Sequence, residues 1–119
     1  MKPIISESVY KTLYELIKKQ KSPEVRQLGE ELSKAEIVKD SNLEKNIVSL
    51  NSIVEFIDES LNKTIRMQIV LPAEANLEQR KISVLAPISI ALIGFKERDR
   101  FSWEMQAGTK YLSILKVVN

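Results

Sequence analysis

The stretch Ile82-Ser83-Val84-Leu85-Ala86-Pro87-Ile88-Ser89-Ile90-Ala91-Leu92-Ile93-Gly94 carries its own start and stop signals. Pro87 sits near the head of an apolar run, where its fixed φ suits the first turn of a helix and its missing N–H is not needed. Gly94 closes the run, as glycine does past a helix C-terminus. Together they mark a short buried helix. On both sides of it the apolar period is two. Ile65, Met67, Ile69 and Leu71 alternate with Arg66, Gln68 and Val70, and Phe101, Trp103 and Met105 alternate with Ser102 and Glu104. Each pattern predicts a strand with one face on a core. Ile53 to Ile57 and Tyr111 to Val118 are further strand candidates, rich in β-branched residues. Lys96 to Arg100 reads as a charged turn, and Gln106 to Thr109 as a hairpin turn containing Gly108. Four or five strands with one short helix predict an α+β domain over residues 44–119.

Before Leu43 the period is helical. Ser6 is placed to cap a helix, with Ile5 ahead of it and Tyr10 in the first turn as a hydrophobic staple. Val9, Leu13, Leu16 and Ile17 then form an apolar stripe. The run ends in Lys18-Lys19-Gln20-Lys21, where cations suit the negative end of the helix dipole. Ser22-Pro23-Glu24 restarts a helix at once, and Val25, Leu28, Leu32 and Ala35 give it a second stripe. Two stripes joined so closely predict an antiparallel helical hairpin over residues 1–43, set apart from the α+β domain. Asp40-Ser41-Asn42 reads as its exit loop.

Composition removes several kinds of chemistry. The 119 residues include no Cys and no His. Zinc sites draw mainly on those two residues, and a Ser-His-Asp or Cys-His nucleophile needs the missing base. The three glycines, Gly29, Gly94 and Gly108, lie too far apart for a phosphate-cradling loop. The adjacent pairs Asp58/Glu59 and Glu30/Glu31 point their side chains apart on a strand or a helix, so neither forms an acid/base dyad. Eighteen basic residues against 16 acidic ones leave a net charge of +2, which argues against a dedicated nucleic-acid binder. The absence of Cys fits a reducing cytoplasm. The N-terminal residues lack the apolar stretch of a signal peptide, and no apolar run approaches a membrane span. No cofactor is expected.

Ile82-Ser83-Val84-Leu85-Ala86-Pro87-Ile88, followed by Ala91-Leu92-Ile93-Gly94 and Asp99, resembles the C-terminal domain of the bacterial Gre transcription factors. Leu50-Asn51-Ser52-Ile53-Val54-Glu55-Phe56 and Phe101-Ser102-Trp103-Glu104-Met105-Gln106-Ala107-Gly108 resemble more closely the Gre-related Rnk family, the regulators of nucleoside diphosphate kinase. The likeness covers about residues 47 to 118, and the short hairpin ahead of it also fits Rnk. Two departures stand out. Ala86 replaces the usual Ser, and Arg98 precedes Asp99 where Gly is usual.

The resemblance implies an FKBP-like fold for the second region and RNA polymerase as partner, with the domain docking at the rim of the secondary channel and the hairpin pointing inward. It implies a docking surface on Ser83, Leu85, Ala86, Pro87 and Ile88. On the residues alone, the same turn is also a helix start that packs Ile88 into the core. In Gre factors an acidic pair at the hairpin tip helps bind magnesium for cleavage of backtracked RNA. Here the tip carries Lys18, Lys19, Lys21 and a single acid, Glu24. Those lysines are either a solvated helix end or a contact for acidic groups or RNA phosphates. Trp103 is either core or contact, and its alternation with Phe101 favours core. Seven aromatic residues in all make the aromatic-lined pocket of a prolyl isomerase an unsuitable expectation. The expected function is a non-enzymatic polymerase-binding regulator that competes with Gre factors; the alternative is a protein-interaction module acting on nucleotide metabolism.

Overall fold

The helical hairpin begins and restarts at the two serines. A computed structural model describes residues 2–105 and 108–119. Helix α1 runs Glu7–Lys19, and the Ser6 Oγ accepts the Val9 N–H at 3.4 Å. Helix α2 runs Pro23–Lys34, and the Ser22 Oγ accepts the Val25 N–H at 3.1 Å. Each cap satisfies a backbone donor that the first helical turn leaves free. Strand β1, Ile4–Ser6, precedes α1, and strand β2, Glu36–Val38, follows α2. They pair in parallel, Ile4 opposite Glu36 and Ser6 opposite Val38. This small sheet draws the two ends of the hairpin together.

Five more strands form the main sheet: β3 Ile53–Asp58, β4 Lys63–Val70, β5 Lys81–Ser83, β6 Arg100–Met105 and β7 Gly108–Val118. Their order is β5-β4-β3-β7-β6, antiparallel throughout except for the β4–β5 pair. Alternation places Val54, Phe56, Met67, Ile69, Leu112 and Ile114 on one buried face. A bulge keeps that alternation in phase. Glu55 faces Lys116 while Phe56 faces Ile114, so Leu115 has no counterpart, and Val117 still turns inward. The expected turn over Gln106–Thr109 falls partly on residues 106 and 107, outside the described residues.

The short helix α3, Pro87–Leu92, lies over this core with Ile90, Ala91 and Leu92 buried. The hairpin joins the same core. Leu13, Leu28 and Leu32 belong to one buried cluster with Phe56, Ile69, Ile90 and Leu112, and α2 packs beside α3. The α+β class holds, with the hairpin laid against the sheet layer. Across the expected boundary near Leu43 the buried cluster is continuous.

Candidate functional site

The turn between β5 and α3 is built from backbone outward. Val84, fully buried, donates its N–H to the Val70 carbonyl at 2.7 Å and so ties the turn to β4. The Ala86 N–H closes on the Ser83 carbonyl at 3.0 Å, and the Ser83 Oγ accepts the Leu85 N–H at 3.1 Å. Pro87 then opens α3 with its ring exposed. Leu85 and Ile88 are half-buried and packed against the core. The sequence therefore places Ser83, Leu85, Ala86, Pro87 and Ile88 on one short rigid segment. Both roles considered for Leu85 and Ile88 are geometrically open, since each side chain is anchored on one side and reachable on the other. Ala86 occupies the N-cap position of α3 without a side-chain hydrogen bond, and a serine there would supply an acceptor for the first helical turn.

The hairpin tip is a separate feature on other elements. Lys18, Lys19, Lys21 and Glu24 are all exposed. Lys18 lies 3.9 Å from Glu15 and 5.0 Å above the Tyr14 ring centroid. Both contacts are open to water, so they orient the side chain and stabilise little. Magnesium takes near-octahedral oxygen ligation. The tip supplies one carboxylate next to three ammonium groups, and among the described residues no group of three or more acidic side chains is placed to hold a metal ion. The tip residues do not fit that ion.

Two further features lie away from the turn and the tip. The first is the loop after α3. Arg98 adopts φ +76°, and its N–H reaches the Ile114 carbonyl at 2.8 Å. The backbone there is left-handed, a conformation that favours glycine. Asp99 holds the loop by accepting the Lys96 N–H at 2.9 Å. The second is a polar network at one end of β3. Asp58, only 3% exposed, pairs with Lys110 at 2.7 Å and accepts the Ser60 N–H and O–H at 3.1 and 2.6 Å. Glu59 takes Arg100 in a forked pair at 2.8 and 3.0 Å and the Ser113 hydroxyl at 2.8 Å. Both carboxylates are fully engaged, so neither is a free acid or base. Trp103 is half-buried and packs on the core, as its alternation suggested. Its outer side borders a cleft of about 250 Å³ shared with Gln27, Glu30, Glu31, Lys34 and Glu104.

The network predicts a pH response. Lys110, and then Ser60, hold the Asp58 carboxyl below its ordinary value of 3.8, and Arg100 does the same for Glu59 below 4.5. A carboxyl lowered in the folded state contributes stability in full above its unfolded value and loses it as the pH falls through the folded one. Asp58→Asn is expected to lower the thermal midpoint at pH 7, with the gap from the parent protein closing as the pH falls from about 4 toward 2. A gap that stays constant over that range would remove the network from the acid response.

Residues 43–119 match the family described as Transcription elongation factor, GreA/GreB, C-term. The transcription elongation factor GreA of Acidiphilium cryptum is 36% identical over 93 residues, which are 78% of this chain and 59% of that protein. GreA of Thermoanaerobacter pseudethanolicus is 36% identical over 86 residues, 72% of this chain and 55% of that one. The chain thus spans less than two thirds of the length of these relatives. A solved structure of a prokaryotic transcription elongation factor GreA/GreB from Nitrosomonas europaea superposes with a TM-score of 0.79 at 29% identity, over 100% of this chain and 99% of its own. Gfh1 of Thermus aquaticus, at 19% identity and a TM-score of 0.53 over 99% of both chains, shares the fold alone. With its β5–α3 turn, its short buried helix and its five-stranded sheet inside the matched residues, this chain belongs to the GreA/GreB C-terminal domain family.

Proposed function

We propose that this chain is a transcription regulator that binds RNA polymerase through the Ser83–Ile88 turn, at the rim of the secondary channel, without catalysing a reaction of its own. The observation that supports this reading most directly is the turn itself. It is held by backbone hydrogen bonds to β4 and within itself, and it presents an exposed proline flanked by half-buried Leu85 and Ile88. A rigid apolar knob loses little conformational freedom on docking. The proposed setting is the bacterial cytoplasm, and the tip lysines face acidic groups or RNA phosphates there.

Capture from a bacterial lysate tests the partner, with polymerase subunits expected to co-purify. Pro87→Asp places a charge on the knob without touching the buried side of α3. It is expected to weaken polymerase binding by about tenfold or more, about 1.4 kcal/mol, with an unchanged far-UV spectrum. A folded Pro87→Asp protein that binds polymerase normally moves the dock elsewhere. Capture of other proteins without polymerase would favour the interaction-module alternative.

A further inference from the structure

The base of the hairpin is tied to the exit of α3, and the tie runs through Gly94. The Ile4 N–H donates to the Gly94 carbonyl at 2.8 Å, and the Gly94 N–H donates to the Val48 carbonyl at 2.8 Å. The Val48 N–H in turn reaches the Phe95 carbonyl at 2.7 Å. On the other side, the Glu36 N–H donates to the Pro3 carbonyl at 2.9 Å, which brings β2 onto the same short segment as β1. The chain enters the hairpin through β1 and leaves through β2. Both strands are therefore fastened at one place, two residues past the last residue of α3.

Only glycine fits at that place. Gly94 has φ +89°, and a Cβ built on it would lie 2.4 Å from the Pro3 Cβ and 2.9 Å from the Ile4 nitrogen. Real Cβ contacts do not come so close, so a side chain there must displace β1. The packed faces of the hairpin and the sheet layer reinforce the tie. Leu13, Leu28 and Leu32 share the core with Ile90, Ala91 and Leu92 of α3. A hairpin hung from one strand swings about that strand. One held by two paired strands, a backbone tie and a buried face does not.

We propose that Gly94 is the joint that fixes the direction of the hairpin relative to the Ser83–Ile88 turn, so that turn and tip meet a partner as one preset rigid unit. The use of this geometry in docking rests on the polymerase reading, but the joint itself does not. A partner that grips the turn has no freedom in where the tip goes. Binding then orders no hinge, and a surface that accepts the turn but obstructs the tip rejects the whole protein.

The test uses the isolated chain, so its failure is distinct from a failure to bind polymerase. The sequence has no Cys, which leaves Lys19→Cys at the tip and Thr64→Cys on β4 as clean positions for a pair of spin labels. In the otherwise unaltered protein, pulsed dipolar spectroscopy is expected to give one narrow distance distribution. Gly94→Ala is expected to broaden it or add a second distance. Ile4→Pro removes the N–H that reaches Gly94 and sets its ring Cδ against the Gly94 carbonyl, breaking the tie from the β1 side, and is expected to do the same; Ile4→Val, which keeps that N–H, is expected to keep the narrow distribution. This conservative variant separates the loss of the N–H from a general loss of packing at position 4. A broad distribution in the unaltered protein overturns the proposal. So does a narrow one in folded Gly94→Ala and Ile4→Pro proteins. If Gly94→Ala fails to fold, Ile4→Pro decides. Failure of both to fold also overturns it, because the contact would then be part of the folding core rather than a joint.

Discussion

Backtracked transcription complexes incubated with saturating amounts of this chain are expected to keep their transcripts uncleaved, and cleavage driven by a GreA-type factor is expected to fall as the chain is added. The first half follows from charge. Cleavage of the kind attributed to Gre factors needs a hard cation held by oxygen ligands beside the RNA. Glu24 is the one carboxylate among the tip residues, and Lys18, Lys19 and Lys21 share the tip with it. A divalent ion ~6 Å from an ammonium group is disfavoured by about 1.4 kcal/mol even in bulk water, before salt screening. Several such groups weaken a site that has a single weak ligand to begin with.

The second half follows from reach. Helix α1 has 13 residues, which span about 20 Å at 1.5 Å per residue. The resemblance to Gre factors implies a longer hairpin in them, and the curated GreA relatives are longer chains, the matched part being 59% of the Acidiphilium cryptum protein. A protein that shares the dock but stops short of the cleavage centre blocks the longer factor without replacing it. Cleavage by this chain alone would contradict the electrostatic argument directly. Unchanged GreA-driven cleavage at saturating chain would remove the competitor role and leave the absence of cleavage standing.

Local signals were legible where the physics is local. Ser6 and Ser22 cap α1 and α2 as their spacing from the apolar stripes implied, the period of two located β4 and β6, and the β-branched runs located β3 and β7. What escaped is pairing across long sequence separations. Strands β1 and β2 have three residues each, too few to show a period, and Ile4 finds Glu36 far along the chain. The bulge at Leu115 and the Asp58–Lys110 pair arise from the register between distant strands, which no window of sequence contains. The shared core escaped for the same reason. The stripe through Leu13, Leu28 and Leu32 shows that a face is buried, not what it is buried against. At the turn, Pro87 announced the helix start, whereas the proposed partner entered through family resemblance, because periodicity does not encode what a surface binds.

Leu28→Ala is expected to destabilise the whole protein by about 3 kcal/mol, within the range for removing a fully buried leucine. Leu28 has no exposed surface and sits in α2 within the cluster that includes Phe56, Ile90 and Leu112. Truncation removes apolar contact area and leaves a cavity that the neighbouring strands, fixed by their hydrogen-bond registers, fill only in part. Against a total stability of roughly 5–15 kcal/mol, that is a large fraction, and for a chain of this size it lowers the thermal midpoint by on the order of 10 °C. Leu77→Ala is the control, since Leu77 is 81% exposed and its loss is expected to cost less than about 0.5 kcal/mol. The informative readout is where the instability appears. Far-UV circular dichroism at the helical minimum follows mainly α1 and α2. Hydrogen exchange at Phe56 and Ile114 follows the centre of the main sheet. If one core spans both, Leu28→Ala lowers protection at Phe56 and Ile114 in step with the loss of helix stability. If the sheet amides keep their protection while the helices melt early, the hairpin unfolds on its own and the shared cluster does not couple the two regions.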